Sequence, residues 1–175
     1  MREWVMAAAL LLGACAAPAG PAVSASLTAA DASTTLLVGE RLTMETRHPP
    51  TPEGSDPLVV LTLRHEDGRT LTFNSANHAP HHVMAQRPGG ALAQIMGLFG
   101  EEAPSLYSAT ERDGAPFLCG PEGPVALGLY ETAAGQIQIV GLRQEIRFET
   151  RPDGTEEALP YSPDQVCARL RFQRG

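Results

Sequence analysis

"LVVLTLRHEDGRTLTFN", Leu58 to Asn74, sets two β-rich runs on either side of Asp67-Gly68. An Asp-Gly pair between alternating apolar residues is a strong local hairpin signal. A two-residue loop would set Leu63 opposite Thr72 and Leu61 opposite Asn74, mixing the faces. A three-residue loop, Glu66-Asp67-Gly68, sets Leu63 opposite Leu71 and Leu61 opposite Phe73. That keeps one face apolar, as a half-buried sheet demands. It also gives Gly68 the left-handed conformation such loops need. The register therefore predicts an antiparallel hairpin with the longer loop.

A similar unit follows in "PVALGLYETAAGQIQIVGL", where Val125, Leu127 and Leu129 alternate, turn through Ala133-Ala134-Gly135 and continue in Ile137 and Ile139. Further strands are expected over Leu36–Thr46, Ser105–Glu111, Phe117–Cys119, Glu145–Thr150 and Val166–Phe172. In the last of these, Val166, Ala168, Leu170 and Phe172 alternate with Arg169 and Arg171. Only "ALAQIMGLFG" reads helical, with Leu92, Ile95, Met96 and Phe99 on one face and Gly100 as its stop. Gly97 weakens it by about 1 kcal/mol relative to alanine. The inventory predicts a mainly β fold, a small antiparallel β-sandwich or barrel with one short helix.

The amino terminus has another character. Its apolar run, Val5 to Leu12, would rise about 12 Å as a helix, against roughly 30 Å of bilayer hydrocarbon. It fits a secretory signal instead. Leu12-Gly13-Ala14-Cys15 resembles the lipobox of bacterial lipoproteins, and the resemblance covers only these first residues. It implies that the Cys15 thiol receives a diacylglyceryl group, that residues 1–14 are removed, and that the new amino terminus is acylated with a fatty acid such as palmitate. Ala16, where an aspartate would retain a lipoprotein in the inner membrane, implies an outer-membrane address facing the periplasm. Several acyl chains, at roughly 0.8 kcal/mol per buried methylene, make such an anchor effectively permanent. The Ala-, Pro-, Gly-, Ser- and Thr-rich segment that follows reads as a flexible tether over 15–35, leaving 36–175 as a single globular domain.

The net charge of -7 provides no field to attract nucleic acid. None of the 13 basic residues is lysine, so Schiff-base chemistry and a P-loop lysine are excluded. Of three cysteines, Cys15 belongs to the lipobox. The remaining pair, Cys119 and Cys167, reads as a structural disulfide in an oxidising compartment.

"NHAPHHVM" gathers His78, His81, His82 and Met84, residue types that ligate copper or zinc. If extended, His82 and Met84 share a face, and the His-x-Met pair resembles part of the ligand set of periplasmic copper-chaperone β-sandwiches. Pro80 argues against a helix here; the alternative is an ordinary polar loop. No Gly-x-Ser-x-Gly or His-Glu-x-x-His motif supports a hydrolase, although a triad can be assembled from separated residues. Glu66-Asp67, Glu101-Glu102 and Glu156-Glu157 read as solvated loop charge. Arg143, Arg147, Arg169 and Arg171 read as the wet side of a sheet, or as a stripe able to grip an acidic partner.

Small disulfide-stapled β lipoproteins include lysozyme inhibitors, and "EDGRTLTF" is loosely similar to a strand–turn–strand in one such group. The resemblance carries over no inhibitory residues. The expectation is a lipid-anchored envelope protein with a non-catalytic binding or structural domain, held to the membrane by its anchor and partnered by an envelope protein or peptidoglycan. The alternatives are a metal handler using the histidine cluster and a small envelope hydrolase.

Overall fold

The computed structural model describes residues 20–76 and 80–175, with the backbone alone at Pro80, Arg112 and Asp113. The signal, Cys15 and His78 therefore lie outside the described residues. Eight strands form the main sheet: β1 Val23–Ala29, β2 Arg41–Arg47, β3 Val60–His65, β4 Thr70–Ser75, β5 Ser105–Asp113, β6 Ala126–Glu131, β7 Gln136–Leu142 and β10 Val166–Arg174. Each pairs antiparallel with its neighbours, and the sheet closes into a barrel where β1 meets β10. β8 Phe148–Thr150 and β9 Glu156–Ala158 form a separate two-stranded sheet. The architecture is thus the barrel and not the sandwich.

The hairpin register is the three-residue one: Leu63 pairs with Leu71 and Leu61 with Phe73. Gly68 has φ 93°. β6 and β7 are joined the same way through Ala133-Ala134-Gly135, with Gly135 at φ 75°.

The tether reading needs correction. β1 lies inside the segment expected to be flexible, and α1 Ala32–Val38 begins there too. Ala25, Leu27 and Ala29 face the core while Ser24, Ser26 and Thr28 face out, a period of two carried by small residues that composition alone mistakes for coil. The folded domain therefore begins well before residue 36. The strand expected over Leu36–Thr46 is divided: α1 ends at Gly39, and β2 starts at Arg41. Asp31 caps α1 by accepting a 2.7 Å hydrogen bond from the Thr34 amide, as a helix N-cap should.

Among the described residues three short α-helices stand where a single one was expected: α1, α2 Pro80–Gln86 and α3 Ala91–Met96, with a 3-10 turn at Pro163–Gln165. Proline suits the first helical position, where an N–H would have no intrahelical partner. α3 stops at Gly97, which is left-handed at φ 71°, and Leu98 donates back to the Ala93 carbonyl. Phe99 is consequently 85% exposed and Leu98 takes the buried place. The stretch Phe117–Cys119 is loop, and Glu145–Thr150 is strand only from Phe148.

The barrel interior is filled. Leu27, Leu42, Leu61, Leu63, Phe73, Leu127, Ile137, Ile139, Leu170 and Phe172 form one buried cluster, and Val38 of α1 joins it. Such side chains each contribute roughly 1.5–3 kcal/mol when fully buried. A second cluster lies outside the barrel, where Leu92, Ile95 and Met96 of α3 meet Leu106, Val140 and Leu142. Gly128 allows this approach: a Cβ there would stand 2.7 Å from Leu92 Cδ1. β7 is covered on both faces, which is why "IVGL" reads as a continuous apolar run. Cys119 and Cys167 are joined, with Cα atoms 5.0 Å apart, and their sulfurs occupy the space that a side chain at Gly141 would need.

Candidate functional site

The α2–α3 turn is built by Arg87-Pro88-Gly89-Gly90. The Gly90 amide donates to the Arg87 carbonyl at 2.8 Å, and Gly90 lies against the last carbonyls of α2. Gln86 secures α2 to the barrel: its amide nitrogen donates to Ala76 O at 3.1 Å, and its oxygen accepts from the Leu106 amide at 2.8 Å. Facing this turn stands the β8–β9 hairpin. Its three-residue loop, Pro152-Asp153-Gly154, repeats the construction of the other two hairpins: Arg151 donates to Thr155 O at 2.7 Å and Gly154 has φ 82°. The Thr155 hydroxyl and amide both donate to Asp153 Oδ1, which holds the Asp153 carboxyl below its ordinary range.

Between turn and hairpin runs a groove of about 560 Å³. Met84, Phe148, Leu159 and Tyr161 supply half-buried apolar lining. Glu149, Glu156 and Glu157 line the hairpin side, and Arg87 lies on the other. Glu149 is directly opposite Glu157 in the strand register, an arrangement that is destabilising unless neutralised. Arg151 pairs with Glu157. Among the described residues Glu149, Glu156 and Arg87 have no ion-pair partner. The volume is within the range of small-ligand and side-chain sites.

The metal-ligand candidates fall at the groove's margin. His81 and His82 lie in the first turn of α2 with ring centroids 4.3 Å apart, and the His81 ring is 5.6 Å from that of Phe148. The segment is helical rather than extended, so residues two apart point to different sides, and the shared face expected for His82 and Met84 is lost. Among the described residues no three of His, Cys, Asp or Glu gather in a metal-binding arrangement; His78 is outside them.

The arginines are engaged with the fold. Arg169 Nη1 donates to the Ile95 carbonyl at 2.8 Å, near the end of α3, and Nη2 to the Tyr161 hydroxyl at 3.3 Å. Arg143 donates to the Cys119 carbonyl at 3.3 Å. Arg171 takes part through its amide, which donates to the buried Thr34 hydroxyl. Arg147 lines a smaller depression beside Leu159. Of the carboxylate pairs, Glu156-Glu157 sits in β9 rather than in a loop, and Glu102 accepts from the Tyr130 hydroxyl at 2.9 Å, which raises the Tyr130 pKa.

A second depression is lined by Ser26 and His65, which sit on strands separated by β2. No hydrogen bond joins them: His65 Nδ1 lies 2.9 Å from Asp67 Oδ1, and its ring lies tilted against that of Phe117, with centroids 5.3 Å apart. Asp67 is held far below the usual carboxylate range, chiefly by the Arg69 side chain and then by the Arg69 amide and His65.

No family model, curated protein or solved structure matches the chain. No helix among the described residues is long and apolar enough to cross a membrane, which says nothing about strands. The groove was not read from the sequence. Its walls come from distant segments, and the one available signal, Glu156-Glu157 two residues before the apolar Leu159, resembles ordinary loop charge.

Proposed function

We propose that this chain is a lipid-anchored envelope protein, tethered through Cys15 to the periplasmic face of the outer membrane, whose barrel is a non-catalytic binding module. The observation that carries the reading is the filled interior. An eight-stranded barrel can hold one small ligand or pack its own side chains; here the core occupies the space, so recognition falls to the outer surface. The groove between the α2–α3 turn and the β8–β9 hairpin is the face best formed for it. The disulfide is in keeping with an oxidising compartment.

Two measurements test the proposal. Mass spectrometry of protein from its native host should find residue 15 as the first residue, carrying acyl mass; an intact leader or an unacylated start overturns the anchor. The mature chain should also lack tryptophan emission, since Trp4 lies in the signal. Envelope extract passed over the immobilised domain should leave a partner retained in proportion to the protein loaded. Repeated failure to retain any envelope protein or peptidoglycan overturns the binding role. Calorimetric titration with Cu(I), Cu(II) and Zn(II) addresses the metal-handling alternative at His78, His81, His82 and Met84, which requires saturable uptake.

A further inference from the structure

The groove's charge and shape identify the kind of partner it takes. We infer that it receives an extended, positively charged polypeptide segment carrying at least one apolar side chain. This rests on the binding-module reading and names the occupant of that same site.

Three features of the groove converge on this occupant. It is roomy enough for several residues of chain, at about 560 Å³. Its lining divides into an apolar part, Met84, Phe148, Leu159 and Tyr161, and an acidic side, Glu149, Glu156 and Glu157. Alternation puts Glu149 and Glu157, opposite each other in register, on the hairpin face away from Phe148, Ala158 and Glu156, so carboxylates border the groove from both faces of the hairpin, and Arg151 neutralises Glu157 alone. An arriving cation would relieve the repulsion among these carboxylates, whereas an anion would add to it. Arg87 on the facing side makes no ion pair among the described residues and so is available to a carbonyl or carboxyl of the same segment. The chain's net charge of -7 draws cationic partners from a distance and disfavours anionic ones. A glycan without charge would use the aromatic rings and ignore the carboxylates; a second copy of this chain would bring the same negative charge.

The test uses fluorescence anisotropy of the mature domain with a labelled decapeptide of alternating lysine and leucine, and with its glutamate–leucine counterpart. Saturable binding is expected for the first peptide and none for the second, weakening about tenfold between roughly 50 and 300 mM salt as screening sets in. The double variant Glu149→Gln with Glu156→Gln should weaken binding about tenfold, while Glu40→Gln with Glu53→Gln, an equal charge change on exposed residues elsewhere, should leave it within about twofold. Equal loss in both pairs would show general charge attraction, and binding of the acidic peptide, or of neither, overturns the inference outright. A native envelope partner that is retained equally by the domain and by the Glu149/Glu156 variant would leave the binding role standing and end this assignment of its site.

Discussion

Gly90 has an ordinary φ of -68° yet tolerates no side chain. A Cβ there would lie 2.6 Å from the Met84 carbonyl oxygen and 2.7 Å from that of Ala85. These are backbone atoms of α2, so relief requires moving the helix end. Gly128 meets a softer obstacle, the tip of the Leu92 side chain, which can rotate. Gly90→Ala should therefore cost about 2–3 kcal/mol and Gly128→Ala about 1 kcal/mol, at the two ends of the usual overpacking range. Urea unfolding of both variants measures the difference; equal losses would contradict the rigid α2–α3 turn. Sequence reading reached Gly68 because its demand is local: a turn after Asp67 needs positive φ. It could not reach Gly90 or Gly128, because their demand is set by whichever element packs against them. Arg169 was partly legible for the same reason. Its place on the outer face followed from alternation, while its service to the Ile95 carbonyl depends on where α3 comes to rest.

Elements whose pairing is local were read closely. The hairpins at Gly68 and Gly135 were read so; the one at Gly154 has the same three-residue turn, but its second strand, Glu156–Ala158, reads in the sequence as loop charge. The last strand, β10, whose partners include the first, was also read from its alternation, but β1 was not. β1 looked like tether because alanine, serine and threonine carry little hydropathy contrast, and its partners are β2 and, across nearly the whole chain, β10. The helical pattern extended to Phe99 because periodicity cannot register that Gly97 turns left-handed. The role of β1 gives a direct prediction. A chain starting at Ala30 should lose the cooperative unfolding shown by one starting at Gly20, because it uncovers the edges of β2 and β10 and removes fully buried Leu27. Exposed edges also invite association, so light scattering should rise. An unchanged urea transition would restore the tether reading for these residues. Phe99→Ser, by contrast, should shift stability by no more than about 0.5 kcal/mol, as exposed positions do.

At the scale of the molecule, two devices hold a closed barrel whose ends come from opposite termini. The disulfide spans 48 residues, and the Cys119→Ser/Cys167→Ser variant should lose roughly 4 kcal/mol on the chain-entropy account, read as a lower urea midpoint. Barrel and sandwich could not be separated beforehand, since closure rests on one pairing between the first and last strands. The second device is a set of hydrogen-bonded aspartates at turns and caps: Asp31 at the start of α1, Asp67 in the first hairpin and Asp153 in the last. Each has its pKa lowered: Asp31 chiefly by the Thr34 amide, Asp67 by the Arg69 side chain and Asp153 by the Thr155 side chain. A carboxyl depressed in the folded state contributes stability that is complete above the unfolded value, near about 4, and disappears as pH falls through the folded one. Acidification also discharges the surrounding glutamates and relieves the repulsion of an acidic chain, which acts in the opposite direction. The local bonds are short and specific whereas the general repulsion is spread over solvent-exposed charge and screened, so the local effect should win. The urea midpoint should stay nearly flat from about pH 8 to 5 and then fall below about pH 4. Replacing Asp31 and Asp153 by asparagine, which still accepts the capping bonds, should lower the neutral plateau and so make the acid limb shallower, with Asp67 left to titrate. A midpoint that rises on acidification would mean that global repulsion outweighs the capped turns.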